Sequence, residues 1–189
     1  MKNAIILALT LFTLTSYAQN PGQAVERKGF VIGIGAGIGV VSISHGDHGS
    51  FEKAEGGLSL PDLRLGWMIN ERLAIIGNSP GKIYDYEGKD RHFGAIIPTV
   101  QYWIQDRLWI NGGFGLAMDS PALYDIDDLE DEEWNFGCAV TASAGYELVQ
   151  KKNYALDLHT QVLLGRVNTG NDQHRDGVVI SVGVGFTWY

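Results

Sequence analysis

From Phe30 onward, apolar side chains recur at every second position of the chain rather than at helical spacing. Successive side chains of a strand point to opposite faces of a sheet, so this pattern predicts strands with one apolar and one slim or polar face. In the first segment the even positions from Phe30 to Val40 are apolar, whereas the odd positions from Gly33 to Gly39 are all glycine. The segment 134–148 alternates in the same way. It is longer than the five or six residues usual in soluble sheets.

Short and long polar connections alternate between these segments. Short ones lie at 70–71, 105–106 and 150–153, and longer ones near 46–56, 86–92, 119–133 and 168–177. They predict eight strands, at about 29–45, 57–69, 72–86, 92–104, 107–118, 134–148, 153–167 and 177–189. Asn78, Ser79, Pro80 and Gly81 break the alternation of the third strand and predict a bulge or an early exit into a loop.

Aromatic residues on the apolar faces fall at two heights. Those near the short turns are Phe30, Trp67, Tyr102, Tyr146, Tyr154, Phe186 and Trp188, and those nearer the long loops are Phe114, Trp134 and Phe136. Two aromatic girdles, with short turns on one rim and long loops on the other, are expected of a bacterial outer-membrane barrel. The sequence therefore predicts an all-β fold: a single eight-stranded antiparallel transmembrane up-and-down β-barrel.

The amino terminus has the features of a secretory signal. Lys2 precedes an apolar run over 4–14, and Ser16 and Ala18 are small residues at the two positions that a signal peptidase inspects. The run is shorter than the roughly 20 apolar residues needed to span a bilayer. We expect a signal peptide at 1–18, a periplasmic segment at 19–28 and an outer-membrane barrel over 29–189.

Composition narrows the possible functions. Cys138 is the only cysteine, so the chain cannot form an intramolecular disulfide. With 14 basic and 22 acidic side chains the net charge is -8, which makes nucleic-acid binding a poor hypothesis.

The carboxyl terminus carries a local motif. Ser181, Gly183, Phe186 and Trp188 fit the closing pattern of known barrels, in which a polar residue, a glycine and two hydrophobic or aromatic residues form an assembly signal; Tyr189 extends it by one residue. With the alternating strands, the chain over 29–189 resembles the small outer-membrane barrels of the OmpA/OmpX type, and especially the barrel-only outer-membrane proteins of Bacteroidota. The resemblance implies periplasmic chaperones and the barrel-assembly machinery as partners, and outer-membrane lipids and lipopolysaccharide as surroundings. We expect a monomer.

Eight strands leave an interior that side chains can fill. The polar residues predicted to face it are Asp62, Arg64, Gln101, Asn111, Glu147, Asp157, His159 and Gln161. Because buried charges are tolerated only when paired, we expect a network around Arg64 with Glu147, Asp157 or Asp62 as partners. The alternative is a gated conduit or proton path through these groups.

A run of acids follows the fifth predicted strand. It consists of Asp125, Asp127, Asp128, Glu130, Asp131, Glu132 and Glu133. Such a run is typical of a solvated loop that repels itself, and divalent-cation binding is the sharper alternative, although the spacing is not that of an EF-hand. Four histidines, His45, His48, His92 and His174, fall in or beside loops and indicate polar surface rather than a transition-metal site. We expect no metal or cofactor.

An enzyme is the main rival class, because some eight-stranded barrels modify lipid A or transfer acyl chains. Asp119 and Ser120 with His92 or His174 could supply the acid, nucleophile and base. The His-x-Ser motif of the deacylase family is not met at His159, which is followed by Thr160 and Gln161. We therefore expect a non-enzymatic barrel with a structural or surface-interaction role and acidic extracellular loops. The alternatives are a narrow small-solute channel and a lipid A-modifying enzyme at the rim.

Overall fold

The computed structural model describes residues 25–45, 51, 53–86, 88–122, 124, 133–170 and 173–189. Alternating apolar and polar side chains place these residues in long antiparallel strands. The strands are β1 (Gly29–His45), β2 (Glu55–Asn70), β3 (Leu73–Asn78), β4 (Gly81–Tyr86), β5 (Lys89–Trp103), β6 (Leu108–Pro121), β7 (Asn135–Lys151), β8 (Tyr154–Gly170) and β9 (Gln173–Trp188). No helix long and apolar enough to cross a bilayer occurs among the described residues.

The strands close into a ring. Each pairs antiparallel with its neighbour in the order β1, β9, β8, β7, β6, β5, β3 and β2, and β1 also pairs with β2. β3 and β4 follow one another between β2 and β5, so they share one position and the ring has eight positions. The predicted fold class, an eight-stranded antiparallel up-and-down barrel, is confirmed.

The third predicted strand is interrupted rather than ended. It stops at Asn78 and resumes at Gly81, so it does not leave the sheet early. Pro80 has no N–H to donate, which explains the break. Its carbonyl still accepts a hydrogen bond from the Ala95 amide at 2.9 Å. On the other side, β4 pairs with β2 only at Lys82 and Ser59, which leaves an irregular seam in the wall.

Two of the predicted long loops are tight hairpins. β4 ends at Tyr86 and β5 begins at Lys89, and β8 ends at Gly170 only three residues before β9 begins. Gly88 and Gly170 adopt positive φ, a conformation that glycine allows in such hairpins. The predictions at 86–92 and 168–177 were wrong because backbone pairing continues beyond the point where the apolar alternation stops.

The barrel has two distinct ends. We call the end with the connections at 71–72, 104–107 and 152–153 the short-turn end, and the opposite end, where β1 and β6 stop and β2 and β7 begin, the loop end. Two buried apolar clusters fill parts of the interior. The cluster nearer the short-turn end contains Val31, Met68, Ala74, Ile76, Trp103 and Trp109, and the one nearer the loop end is centred on Phe93. Most outward apolar side chains are exposed.

Candidate functional sites in the lumen and at the loop end

Arg64 lies at the centre of a buried polar layer. Its Nε donates to Asp62 Oδ2 at 3.2 Å and its Nη1 to Asp157 Oδ2 at 3.4 Å. His159 Nδ1 is 2.7 Å from Asp157 Oδ1, and its Nε2 is 3.1 Å from Arg64 Nη2. An arginine can only donate, so this geometry assigns the proton to Nδ1, with Nε2 accepting from the guanidinium. The layer thus contains one guanidinium in contact with two carboxylates.

Inward glycines make room for this layer. A Cβ at Gly185 would lie 2.7 Å from Asp157 Oδ2 and 3.0 Å from Arg64 Nη1. A Cβ at Gly35 would lie 3.4 Å from both Arg64 Nη2 and the His159 ring. Gly35 on β1 and Gly185 on β9 therefore allow close packing against charged side chains.

Neutral polar residues form a separate group. The Thr99 hydroxyl accepts from Asn78 Nδ2 at 2.8 Å and from Asn111 Nδ2 at 2.9 Å, and Asn111 Nδ2 also lies 3.4 Å from Gln101 Oε1. Of the residues expected around Arg64, Gln101 and Asn111 belong to this group instead. Gln161 is buried on β8, on the loop-end side of the Arg64 layer.

Glu147 takes a different partner from the one expected. Its carboxylate accepts from Arg27 Nη2, Trp103 Nε1 and Gln150 Nε2, each at 2.7 Å, and from the Tyr189 hydroxyl at 3.0 Å. Four donors surround one buried carboxylate, so its charge is well compensated.

The segment before β1 closes the short-turn end. The Glu26 amide donates to the Lys152 carbonyl at 2.9 Å, and the Arg27 guanidinium lies 4.8 Å from the centre of the Trp103 ring. Lys28, by contrast, faces solvent, where its ammonium lowers the pKa of the Glu26 carboxyl. Arg27 is therefore part of the barrel interior.

Phe93 crosses the lumen toward the loop end. It lies on β5, four ring positions away from β9 in either direction. A Cβ at Gly177 on β9 would nevertheless lie 2.3 Å from the Phe93 ring. The ring therefore spans the barrel from one wall to the opposite one.

A second buried charge cluster lies at the loop end. Asp119 is completely buried and accepts from Arg91 Nε at 3.0 Å, from the Tyr84 hydroxyl at 3.1 Å and from Arg175 Nη1. The Arg175 guanidinium also lies 4.3 Å from the centre of the Tyr86 ring. The cluster thus ties β4, β5, β6 and β9 together.

The four residues suggested as catalytic at the rim do not all lie on the same face of the barrel wall. Ser120 is opposite His92 in the β5–β6 register, but Asp119, the orienting acid, points inward to the two arginines. His174 lies on β9, with Nε2 4.0 Å from Asp176 Oδ2. A nucleophile, a base and an acid within mutual hydrogen-bond reach are therefore not brought together by these four residues.

Some of the histidines and acids singled out in the sequence lie outside the described part of the chain. His48, the side chain of His45 and the acids of the loop except Glu133 lie outside the described residues. The Glu133 carbonyl accepts from Arg91 Nη2 at 2.9 Å. Within the described ranges, no group of three or more metal-ligating side chains is arranged to hold a metal ion.

The carboxyl-terminal motif uses both faces of β9. Ser181 is buried, Phe186 packs against Tyr154 with ring centres 5.4 Å apart, and Trp188 is exposed on the outside. Tyr189, the additional residue, turns into the interior, where its ring lies 6.0 Å from the Trp103 ring.

Sequence reasoning missed Arg27, Phe93, Trp103 and the Asp119 cluster. Residues an even number of positions apart on a strand face the same side, and this was the available signal for three of these features. Phe93 and Trp103 are at even distances from Gln101, and Asp119 is at an even distance from Asn111. Arg27 had no such signal, because it lies before the first strand.

A closed ring with an apolar outside and charged layers inside defines a small barrel of the outer-membrane type. No protein-family model matches the chain, and no curated protein matches it. Solved structures of small outer-membrane proteins share the fold. Neisserial surface protein A has a TM-score of 0.58 at 17% identity, over 85% of this chain and 96% of that chain.

Two other solved structures are comparably similar. The outer membrane protein OprG from Pseudomonas aeruginosa has a TM-score of 0.51 at 13% identity, over 89% of this chain and 99% of that chain. Ail, the attachment invasion locus protein of Yersinia pestis, has a TM-score of 0.50 at 11% identity, over 84% and 99%. At such low identities these similarities support the fold alone.

Proposed function

We propose that this chain is a non-enzymatic outer-membrane barrel with a structural or surface-interaction role. The observation that carries the proposal is its reversed polarity: charged side chains are buried inside the ring, while leucine, isoleucine, valine and aromatic side chains cover the outside. A water-soluble sheet would bury that apolar face. In a bilayer, lipid tails cover it, and a closed ring leaves no backbone edge unsatisfied.

The apolar surface has the height of an outer membrane. On β8 the outward positions from Tyr154 to Leu164 carry no charge, and the next outward residue is Arg166, paired with Asp176. Ten residues at about 3.4 Å each give about 34 Å of strand. A strand tilt of about 40° reduces this to about 26 Å along the barrel axis. The apolar band of known outer-membrane barrels is about 25 Å tall.

The interior argues against a small-solute channel. Three successive layers cross it: Glu147 with Arg27 and Trp103, Arg64 with its carboxylates, and the Phe93 ring. Side chains commonly fill barrels of eight strands. A conduit would require the displacement of several paired charges, which is costly in a low-dielectric interior.

The remaining features of the proposal concern the route to the membrane. The signal peptide at 1–18 would direct export, and the closing motif on β9 would be read by the barrel-assembly machinery after passage with periplasmic chaperones. The short-turn end would then face the periplasm and the acidic loop of 125–133 the exterior, beside lipopolysaccharide. The resemblance to Bacteroidota barrels and the name of the attachment protein Ail agree with a surface role.

Planar-bilayer conductance tests this proposal against the channel. The closed barrel should give no stable current steps, and Phe93→Ala should give none either, because the Glu147 layer still closes the short-turn end. Reproducible wild-type steps that increase in Phe93→Ala would contradict it. Faster gel migration of the unheated protein than of the heated protein should show independently that the cylinder is closed.

Mass spectrometry of lipid A from cells with and without the protein tests the enzymatic alternative. The lipid A spectra should be identical. A new acylation state that requires the wild-type chain and is lost in Ser120→Ala would overturn the non-enzymatic assignment.

A further inference from the structure

A pocket opens in the outer face of the wall beside the break between β3 and β4. Its volume is about 270 Å³. Pro61, Ile83, Met118 and Trp134 supply most of its apolar lining, and His92 and Ser120 supply polar groups. The irregular β2–β4 seam thus coincides with a concave surface on the outside of the barrel.

Two of the polar side chains that line the pocket, those of Ser120 and His92, lack a partner among the described residues. Ser120 is only 4% exposed, yet within the described part of the chain neither its hydroxyl nor the His92 ring makes a hydrogen bond. A hydroxyl that is largely covered and has no protein partner is usually satisfied in native proteins by a bound molecule or water. The pair therefore indicates a ligand with a hydrogen-bonding group.

The His92 ring packs directly against two glycines. A Cβ at Gly81 would lie 2.1 Å from His92 Nε2, and a Cβ at Gly94 would lie 2.4 Å from its Cε1. Both glycines therefore allow the ring to lie flat against the wall. Any other residue would push the ring outward into the pocket.

The height of the pocket follows from residue counts along two strands. Met118 and Leu164 lie ten residues from the short-turn ends of β6 and β8, at Leu108 and Tyr154. Ser120 lies two residues beyond Met118, and Arg166 lies two residues beyond Leu164, so the two are equally far from the short-turn ends of their strands. The apolar part of the pocket is therefore level with the top of the apolar band, and its polar part is level with the first charged residues.

We propose that this pocket binds one acyl chain of an outer-leaflet glycolipid of the lipid A class. The chain lies against Ile83 and Met118, and its ester or amide carbonyl accepts hydrogen bonds from Ser120 and His92. A pocket of this size, below the 300–1,000 Å³ typical of drug-sized ligands, holds part of one chain rather than a whole lipid. The inference depends on the proposed location in the outer membrane.

The assigned activity is binding, not hydrolysis. Among the described residues Asp119 is the acid nearest in sequence to Ser120, and it does not orient His92 because Arg91 and Arg175 hold it inside. The ester or amide bond therefore stays intact, and no covalent step is involved.

Native mass spectrometry of the folded full-length protein in detergent, titrated with purified lipid A, tests the proposal. Wild type should retain one lipid saturably. Ser120→Ala should weaken retention about three- to tenfold, which corresponds to one hydrogen bond. Ser120→Trp should abolish retention by filling the pocket. The matched control is Val162→Trp, an outward position on β8 outside the pocket, which should retain lipid as wild type does.

Equal retention by Ser120→Trp and wild type would overturn the proposal, as would equally saturable retention of phosphatidylethanolamine. Heat-dependent gel migration is measured for every variant. A wild type without that shift would refute the barrel itself, whereas a shifting wild type that retains no lipid would refute only the pocket. If Ser120→Trp does not fold, Ile83→Trp fills the same space from β4.

Discussion

The Phe93 ring on β5 rests directly against Gly177 on β9, at the opposite wall of the barrel. One aromatic side chain therefore reaches across the whole lumen, and one missing side chain makes room for it. Interiors are close-packed, so the two positions are matched in size. The pair closes the barrel near the loop end independently of the charged layers below it.

Gly177→Ala should lower the free energy of unfolding by about 1–3 kcal/mol, because the added Cβ overlaps the Phe93 ring and a packed interior resists such additions. Urea unfolding of the protein in detergent micelles or liposomes measures this. Gly112→Ala is the matched control, since its Cβ would meet only the Thr141 carbonyl at an ordinary 3.5 Å. Similar losses in the two variants would contradict a tight Phe93–Gly177 contact.

Arg64→Ala should be destabilising by about 3–5 kcal/mol, because it leaves Asp62 and Asp157 buried without their cation. Arg166→Ala removes an arginine whose ion pair with Asp176 faces outward. Exposed ion pairs contribute little, so this control should unfold close to wild type. Comparable midpoints for Arg64→Ala and wild type in a urea titration would show that the Arg64 layer is not electrostatically coupled.

Tyr189→Phe should cost about 1.5 kcal/mol by removing one hydrogen bond to the Glu147 carboxylate while it keeps the terminal aromatic ring. The amount of assembled Tyr189→Phe protein in the membrane fraction should stay at the wild-type level. Trp188→Phe, at the outward neighbour, serves as the comparison and should leave unfolding nearly unchanged. A loss of assembly in Tyr189→Phe would mean that the hydroxyl acts in recognition rather than inside the barrel.

Leu158→Arg should destabilise the protein in liposomes by about 2–4 kcal/mol, because it places a charge near the middle of the apolar band on β8. Asn168→Arg, beyond Arg166 on the same strand, should have little effect. The two variants are compared by folding titrations in the same lipid. Equal tolerance of arginine at both positions would contradict the proposed membrane band.

Much of the fold was predictable because strand geometry is local. The period of two assigns Phe30 to the outside and Arg64 to the inside without any knowledge of neighbouring strands. Strand ends were harder to predict. β8 continues to Gly170 through polar residues, because backbone hydrogen bonds do not require apolar side chains.

The interior contacts were only partly predictable. Parity placed Arg64, Asp157 and Glu147 inside, but their partners depend on register and height. Glu147 meets Arg27, which is 120 residues away and lies before the first strand. The sequence pointed to Ser120 and His92 only as possible catalytic residues, and it did not predict the pocket between them, because the pocket arises where the β2–β4 seam opens.

The sequence by itself determined which side chains face in and which face out, since alternation is a property of each strand alone. Only the tertiary structure decided which inward residues meet, because closure of the ring sets the register between strands distant in the chain. Phe93 and Gly177 illustrate the difference: each was assignable to the lumen by parity, but their contact exists only because β5 and β9 stand at opposite walls.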